Sequence, residues 1–559
     1  MNAITRTFDF VKKHPEWFTV LGLCILFYFI FFHNIGNYPL MDVDETRYVS
    51  MARDMFHTKD FMTLVLDDDY FFEKPPLFFW GECISFAIFG KINEFTARFP
   101  VALYGMLTCF LTYFMGKKIV SRKYGIVSSL ILATSFEFVI LAKFAILDIV
   151  VSTCVAFSIM LGFLTFFCKD ENKKFFIWLF YIFSGLAVMA KGIPGFVLPF
   201  GVMFFALLVS DKLKSALKPK YLFAGLGFFL LIVLPWHLLM LKIHNPAFYE
   251  EYIIKHHLAR FFTSNDIDRS APWWFYFVNL IWGLVPWIFS IIAICIAKVK
   301  NFSFGIFKNF KFKFDELNDS NKYLVLNWIA VIFIMLFFTS SSTKLITYIL
   351  PIFVHIACIL AFAWLGYIEN ANYKKAINLS VYIFGGFALL LSFLALFTPL
   401  YLPEWLYNDI YPSKWLTISF VALFGFSSII CAVKNKPWGV FFSHVIFILL
   451  LSAFCTKQYF LLDYKFGQND LMEFAKYAQD TKDQLISFGD GRRYSLLYYY
   501  GAHIKYIEDE ELTRDNLEEE LEKNDALISM KKKNLEKYAQ GLKYKTVLEG
   551  RKYILIRGK

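Results

Sequence analysis

The feature that most constrains this chain is a series of about thirteen apolar stretches, each long enough to cross the hydrocarbon core of a bilayer. Hydrophobic residues make up 58% of the 559 residues, including 69 phenylalanines, and the mean hydropathy is +0.50. A water-soluble protein could not bury that much apolar surface. We therefore predict an α-helical polytopic membrane protein whose spans are 17–36, 97–116, 124–142, 149–168, 175–190, 193–210, 221–241, 273–297, 323–340, 346–367, 376–398, 415–433 and 438–456.

The connectors between these stretches predict the orientation of the chain. Trp17–Phe32 lacks the small-residue exit of a cleavable signal, so we expect it to be kept as the first span. Clusters of Lys and Arg fall in alternate connectors, on the side of Lys12 and Lys13; they are 117–123, 169–174, 212–220, 298–322, 374–375 and 434–436. The positive-inside rule then places the N-terminus in the cytoplasm and the connectors 37–96 and 242–272 outside. The net charge of +11 is largely this bias, so no nucleic-acid partner is expected.

The last hundred residues differ in character from the rest. We predict a transmembrane domain, 1–456, and a soluble α/β domain, 457–559, which the odd number of spans places outside. Alternation in the Tyr-rich segments predicts strands at Arg493–Tyr500 and Tyr553–Arg557, and polar periodicity predicts helices around Asp470–Leu485 and Thr513–Lys523. The domain carries no catalytic signature, so we expect it to serve structure or acceptor handling.

The first external loop contains an unusual concentration of charge. Asp42, Asp44 and Glu45 directly follow the first apolar stretch, where carboxylates are costly unless they are paired or functional. Glu73-Lys74-Pro75-Pro76 holds two charges on a stiff, extended segment. A solvated polar loop is the alternative.

Asp44–Phe56 has apolar residues at helical spacing, which predicts an amphipathic helix lying in the membrane interface. Arg47 lies one turn after Asp44. Arg47 and Lys74 are suited to bind a phosphate, and Asp44 or Glu73 to act as a base or to orient an acceptor. The alternative for Arg47 is an ion pair with Glu45 or Asp54.

Further polar residues lie at the other predicted external exits, namely Asp148, His256, His257, Arg260, Lys344 and Tyr348. Adjacent histidines on a helix point apart, so Glu73 with His257 is the better pair for a divalent ion such as zinc. Lys344 and Tyr348 have helical i, i+4 spacing and suit a phosphate or sugar contact, the alternative being a lysine that extends to the membrane surface. Asp148 is either functional or a solvated loop acid.

Several blocks of this sequence resemble one known family. In chain order they are DETRY, YFFEKPPLFFW, KGIPGFVLP, HHLARF, APWWFYF and STKLITYILP. They are similar to blocks of the lipid-dependent GT-C glycosyltransferases, which include the aminoarabinose lipid A transferases and, more distantly, the protein O-mannosyltransferases. The resemblance covers about residues 15–365. It implies a GT-C fold and transfer of a sugar from undecaprenyl phosphate to lipid A at the periplasmic face of the bacterial inner membrane.

The resemblance also implies roles for individual residues. Added to the features above, it predicts a catalytic set of Asp44, Glu73 and Asp148 and a donor-binding set of Arg47, Lys74, Arg260, Lys344 and Tyr348; of these, Asp148 and Arg47 are predicted from the residues alone. Within these sets Lys74 and Arg260 would hold the donor phosphate, while Glu73 and His257 would line the site. No cofactor would be required, although a zinc-like ion would suit Glu73 and His257, and we expect a monomer among membrane lipids. Phe71 stands where relatives often have Tyr, so a hydroxyl contact to the donor would be missing.

Two other functions remain alternatives at this point. A protein O-glycosyltransferase would act on a hydroxyl group, which needs a base, and Asp44 is the best candidate; a lipid A phosphate is already ionised and needs none. A transporter or flippase of lipid-linked sugars would have ionisable residues near the membrane midplane and internal repeats, and neither is clear in this sequence.

Topology can be tested by single-cysteine labelling. We expect labelling from the cytoplasmic side at positions 118, 214 and 311, and from the opposite side at positions 74, 257 and 505. A cytoplasmic position 505 would mean an even number of spans and would contradict an exported C-terminal domain.

Overall fold

The structure is a computed structural model that describes residues 15–216, 218–259, 271–300, 313–397, 404–457, 463, 467–523 and 526–559. Its large apolar part contains seventeen main helices. They are α1 (Pro15–Phe32), α2 (Asp44–Thr58), α3 (Leu77–Phe89), α4 (Glu94–Ile119), α5 (Arg122–Ala133), α6 (Phe136–Leu141), α7 (Leu147–Phe163), α8 (Asp170–Lys191), α9 (Ile193–Val209), α10 (Pro219–His244), α11 (Phe275–Gly283), α12 (Ile288–Lys300), α13 (Asp319–Ser340), α14 (Ile352–Asn370), α15 (Lys374–Ala395), α16 (Glu404–Val433) and α17 (Pro437–Lys457).

The predicted α-helical membrane fold is confirmed. Within the described residues, seven helices are long and apolar enough to cross a bilayer, and an eighth span results if α11 and α12 are counted together. Each of the thirteen predicted stretches coincides with a helix or a broken pair of helices in the described chain, but several of these helices are short, so thirteen spans stays a prediction.

Two predicted spans are broken helices. The stretch 124–142 is divided between α5 and α6 at Thr134-Ser135, whose hydroxyls donate to the carbonyls of Leu130 and Ile131. Hydroxyls that compete for backbone carbonyls in this way are a common cause of helix bends. The stretch 273–297 bends by 116° between α11 and α12, where Pro286 removes a backbone donor.

The turn between α8 and α9 shapes the site described below. Gly192, with φ of +77°, ends α8 in a conformation that favours glycine. At Gly195 a Cβ atom would lie 2.2 Å from the backbone carbon of Ala187, so only glycine lets the two helices approach this closely. Lys191 and Ile193 are therefore held on either side of a tight corner.

The C-terminal part contains a small α/β domain, as predicted. Its five strands are β3 (Gln484–Phe488), β4 (Lys505–Ile507), β5 (Ala526–Lys531), β6 (Tyr544–Glu549) and β7 (Tyr553–Gly558), which follow β1 (Val65–Leu66) and β2 (Asp69–Tyr70) of the first external loop. The sheet order is β4-β3-β5-β7-β6, with β3 parallel to β4 and β5, and β7 antiparallel to its neighbours. The helices are α18 (Gln468–Thr481), α19 (Tyr494–Tyr500), α20 (Arg514–Glu522) and α21 (Lys532–Tyr538).

One predicted strand of this domain is wrong. Arg493–Tyr500 is not a strand, because Tyr494–Tyr500 forms the helix α19, which ends at Gly501 with φ of +76°. Ser495 to Tyr499 are all buried, whereas a strand at a sheet surface would bury alternate residues. The Tyr-rich run is covered on several sides because it packs between its own domain and α2. Leu485 lies in β3 rather than at the end of the preceding helix.

A buried ion pair joins the first external loop to the helices. Arg98 of α4 is fully buried and donates from Nε and Nη2 to the two carboxylate oxygens of Glu45, both at 2.8 Å. Its remaining donors bond the carbonyls of Ile35, Tyr38 and Pro39, each at 2.8 Å. Every nitrogen of the guanidinium therefore has an acceptor, which a buried ion pair needs if it is to repay the desolvation of both charges.

The carboxylate of Glu45 has further partners. It accepts a hydrogen bond from the backbone N–H of Met41 at 2.9 Å and another from that of Ala145 at 2.6 Å. Ala145 lies just before α7, so the single carboxylate of Glu45, a residue of α2, connects the loop after α1, the helix α4 and the segment that leads to Asp148. Glu45 therefore has a structural role. A carboxylate near the apolar part of a membrane is costly unless it is paired or functional, and Glu45 is paired.

Replacing Glu45 should show how much this ion pair contributes to the stability of the fold. Glu45→Gln removes the charge and leaves Arg98 buried without a counter-ion, so we expect the free energy of unfolding to fall by about 3–5 kcal/mol. The measurement is thermal or denaturant unfolding of purified protein in detergent. Glu316→Gln is the matched control, because Glu316 pairs with Lys313 at 2.6 Å on the exposed surface. This change should lower the free energy of unfolding by less than about 1 kcal/mol. Equal effects of the two changes would contradict the structural role of Glu45.

Candidate active site

Six of the predicted site residues line a cavity of about 690 Å³. Its wall contains three carboxylates and three fixed cations, namely Asp44, Glu73, Asp148, Arg47, Lys74 and Lys191. Apolar side chains form much of the remainder, among them Ile146, Leu147, Val151, Ile193, Val197, Leu198, Phe337 and Phe338. A cavity with this lining is suited to a ligand that has both an anionic head and a hydrocarbon part.

The first external loop contributes residues from the start of α2 and from the Glu73-Lys74 segment. Asp44 is the first residue of α2, and its carboxylate, 60% exposed, accepts a hydrogen bond from Arg47 at 2.9 Å. The alternative of an ion pair is therefore realised with Asp44, and not with Glu45 or Asp54. The reason is that Glu45 turns toward Arg98 while Asp54 bonds Arg53 at 2.9 Å.

Arg47 does not use all of its hydrogen-bond donors within the described part of the chain. Its guanidinium also lies 5.0 Å from the ring of Tyr48 and 5.7 Å from the ring of Phe71. Burial alone would lower the pKa of Arg47, but the nearby Tyr48, Asp44 and Glu73 raise it, so the group stays charged. Its buried Nε has no acceptor within the described part of the chain.

Tyr48 shows that the three carboxylates gather in one place. Burial raises the pKa of this phenol; Arg47 opposes the shift, and Asp44, Asp148 and Glu73 reinforce it. Asp148 lies about a hundred residues from Asp44, so it was the predicted topology, and not closeness in sequence, that indicated this convergence. The side chain of Lys74 lies nearby, 3.8 Å from the carboxylate of Glu73, and donates to the Glu73 carbonyl at 3.1 Å.

Asp148 lies in the first turn of α7 and forms a close ion pair with Lys191, the last residue of α8. The ammonium group of Lys191 is also 4.5 Å from the centre of the Tyr348 ring. Asp148 is therefore not a freely solvated loop acid. The prediction did not include Lys191 among the site residues; its place beside Gly192, at the end of a predicted span, was the available signal.

Lys344 does not join the site as predicted. Lys344 and Tyr348 were expected on one helical face, but only Ile346–Ile349 forms a short 3₁₀ turn, so the i, i+4 relation is lost. Lys344 is 8% exposed and donates to the Ser341 carbonyl at 2.7 Å. It stabilises the segment that follows α13, whereas Tyr348 does line the cavity.

Two predicted residues fall beyond what the structure describes. Arg260 lies in the undescribed segment 260–270, and the side chain of His257 is likewise not described. Their roles stay predictions, including the zinc-like pair of Glu73 and His257. His256 lines the cavity, and its Nε2 is 3.8 Å from the carboxylate of Glu251. Among the described residues, no group of three or more His, Cys, Asp or Glu side chains is arranged to hold a metal ion.

Comparison with known proteins agrees with this fold. Residues 17–249 match the family model of the dolichyl-phosphate-mannose-protein mannosyltransferases. An uncharacterized protein of Aquifex aeolicus (strain VF5) is 32% identical over 368 residues, which cover 66% of this chain and 67% of that relative. The undecaprenyl phosphate-α-4-amino-4-deoxy-L-arabinose arabinosyl transferase 2 of Proteus mirabilis (strain HI4320) is 27% identical over 426 residues, 74% of this chain and 72% of that relative.

A solved structure extends the likeness in fold to nearly the whole chain. The crystal structure of ArnT from Cupriavidus metallidurans bound to undecaprenyl phosphate matches with a TM-score of 0.75 at 19% identity, covering 97% of this chain and 98% of that chain. The resemblance in sequence blocks, the family model and the relatives lead to one conclusion: this chain belongs to the GT-C glycosyltransferases, the family that includes the aminoarabinose transferases and the protein mannosyltransferases.

Proposed function

We propose that this glycosyltransferase takes a sugar from a polyprenyl-phosphate donor and transfers it to lipid A, or a related envelope acceptor, at the periplasmic face of the bacterial inner membrane. The observation that carries the proposal is the cavity, in which Arg47, Lys74 and Lys191 share the wall with a broad apolar surface. A polyprenyl phosphate combines an anionic head with a hydrocarbon chain, so it matches this lining. The names of the relatives and the ligand of the Cupriavidus metallidurans ArnT structure support the same donor class.

The orientation is part of the proposal. The connector charges place the N-terminus in the cytoplasm, which puts the cavity and residues 457–559 on the periplasmic side. The domain division at 456/457 agrees with a sheet domain that begins beyond α17.

The reaction can be described by the bond that breaks and the bond that forms. An acceptor oxygen attacks the anomeric carbon, the bond from that carbon to the phosphate oxygen breaks, and its electron pair stays on the departing polyprenyl phosphate. A single displacement of this kind inverts the anomeric centre. Negative charge grows on the phosphate as it leaves, and cations already fixed beside it stabilise that charge without reorganising. Lys74 and the predicted Arg260 are the residues we assign to this task.

The role of Asp44 depends on the acceptor. A phosphate oxygen of lipid A is ionised near neutral pH, so Asp44 would orient it and stabilise the positive charge that develops at the anomeric carbon. A hydroxyl acceptor must lose a proton, and Asp44 would accept it. Asp148 would keep Lys191 in place, because the ion pair between them fixes the ammonium group beside Tyr348.

A protein acceptor is the second candidate, favoured by the match of residues 17–249 to the mannosyltransferase model. The same cavity would then bind the donor, and Asp44 would be the base. A transporter, the remaining alternative from the sequence, does not agree with membership of a glycosyltransferase family.

Replacing the cations that we assign to the donor phosphate tests the proposed donor-binding site. Lys74→Ala or Arg260→Ala should lose most transfer activity while the protein still accumulates in the membrane, and Lys74→Arg should recover only part, because a planar guanidinium replaces a compact charge. The assay is transfer from undecaprenyl phosphate-α-4-amino-4-deoxy-L-arabinose to lipid A by purified protein. The matched control is Lys91→Ala, an exposed lysine before α4, which should be fully active. Normal turnover by Lys74→Ala would reject this phosphate site, and transfer to a hydroxylated peptide but not to lipid A would favour the second candidate.

Loss of the Asp44 charge tests the catalytic assignment. Asp44→Asn keeps the size and hydrogen bonding of the side chain, and we expect the transfer rate to fall at least about 100-fold, the scale for a positioned acid or base. Asp68→Asn, the same change at a 92% exposed position of the same loop, should have little effect. If Asp44→Asn keeps the wild-type rate while Asp148→Asn abolishes transfer, the catalytic carboxylate is Asp148.

A further inference from the structure

The C-terminal domain contacts the first external loop at the residues that flank Asp44. Asp42 accepts hydrogen bonds from the backbone N–H and the hydroxyl of Ser495, at 2.8 and 2.7 Å. Gln468 donates to the Asp42 carboxylate at 3.2 Å and accepts from the Asp42 backbone N–H at 2.7 Å. Gln468 and Ser495 are both fully buried, so these bonds are not loose surface contacts.

A second contact lies farther along α2. Arg53, in the second half of this helix, donates to the carbonyl of Tyr498 at 2.8 Å and lies 3.4 Å from that of Leu497. The helix α19 thus bonds the residue that leads into α2 through Ser495, and α2 itself through the carbonyls of Leu497 and Tyr498.

Additional bonds hold the entrance to α2. The hydroxyl of Tyr499 accepts from the Leu40 backbone N–H at 2.9 Å and donates to the carboxylate of Glu94 at 2.9 Å. Asp42 also accepts from the hydroxyl of Thr46 at 2.5 Å, within the first turn of α2. Burial raises the pKa of Asp42, an effect that the bonds from Thr46 and Ser495 oppose.

The side chain of Asp44 makes few contacts of its own. Its carboxylate is 60% exposed, and its hydrogen bond comes from a single side chain, that of Arg47, so its direction depends on its backbone. That backbone lies between Asp42, held by the C-terminal domain, and Glu45, held by Arg98. A displacement of about 1 Å at a reacting group can reduce a rate about 100-fold, so a residue that fixes this backbone influences the chemistry without touching the substrate.

We propose that Gln468 and Ser495 are positioning residues for the transfer reaction: through Asp42 they fix the start of α2 and so direct Asp44 into the cavity. The C-terminal domain is then a working part of the active site, although it contributes no group to the chemistry. This inference rests on the proposed role of Asp44.

The test is a double-mutant cycle measured as kcat in the lipid A transfer assay. Gln468→Glu puts a second carboxylate beside Asp42, and repulsion between like charges should displace the start of α2. We expect kcat to fall at least about tenfold, with the affinity for undecaprenyl phosphate within twofold of wild type. In an Asp44→Asn background the same change should cost less than twofold, because a displaced Asp44 has already lost its charge and effects on one unit are not additive.

Two controls separate positioning from general damage. Gln540→Glu makes the same change in the same domain, where the side-chain amide donates only to the nearby Glu536 carbonyl among the contacts described, and should leave kcat unchanged. Ser495→Ala should lower kcat as Gln468→Glu does, and Ser495→Thr, which restores the hydroxyl, should recover most of it.

The outcomes separate this inference from the proposed function. If Gln468→Glu and Ser495→Ala both keep the wild-type kcat, or if their losses multiply undiminished with that of Asp44→Asn, the positioning role is rejected while the role of Asp44 stands. A wild-type rate for Asp44→Asn alone rejects the proposed role of Asp44, and the positioning role with it.

Discussion

The buried pair of Arg98 and Glu45 is the interaction on which the rest of this structure depends. Placing two charges in a protein interior costs several kcal/mol for each ion. Here the cost is offset by paired bonds between the two groups at 2.8 Å and by bonds from both to the backbone. Because those backbone partners belong to separate segments, the pair determines how the first external loop lies on the helices. The neighbouring residue, Asp44, is directed into the cavity as a consequence.

The charged side chains that line the cavity are also paired with one another, before any ligand is present. Asp44 pairs with Arg47, Glu73 lies beside Lys74, and Asp148 pairs with Lys191. Paired charges can be kept at the edge of an apolar environment where single ones would be costly. Under the proposed function they would need little rearrangement when a phosphate binds, and preorganised charges of this kind are usually the largest contribution to stabilising a transition state.

Three carboxylates within four residues have three different environments. Glu45 is enclosed by the helical part, Asp42 is bonded by the C-terminal domain, and Asp44 alone remains exposed to the cavity. The two structural carboxylates fix the backbone on either side of the exposed one, which links the stability of the domain contact to the geometry of the site. Under the proposed function, this also explains why the C-terminal domain packs closely against the loop that contains Asp44.

The sequence by itself determined the class of fold, the loop 37–96 that contributes much of the charge in the cavity, and six of the residues that line it. Apolar length, connector charge and the DETRY and EKPP blocks are local features, and local features can be recognised along a chain. Asp44, Arg47, Glu73, Lys74, Asp148 and Tyr348 were found in this way and meet at one cavity. The small α/β domain was likewise predictable from its change in composition.

Only the tertiary structure decided the partners. No local pattern connects Arg98 to Glu45, Lys191 to Asp148 or Ser495 to Asp42, because each pair is brought together by packing across many residues. The same reason explains the errors: α19 is a helix because it is buried on several sides, and Lys344 turns to Ser341 because the chain beyond α13 leaves the helical path. A sequence reveals which residues are chemically able to act, whereas the fold determines which of them are neutralised by a neighbour and which remain exposed to a substrate.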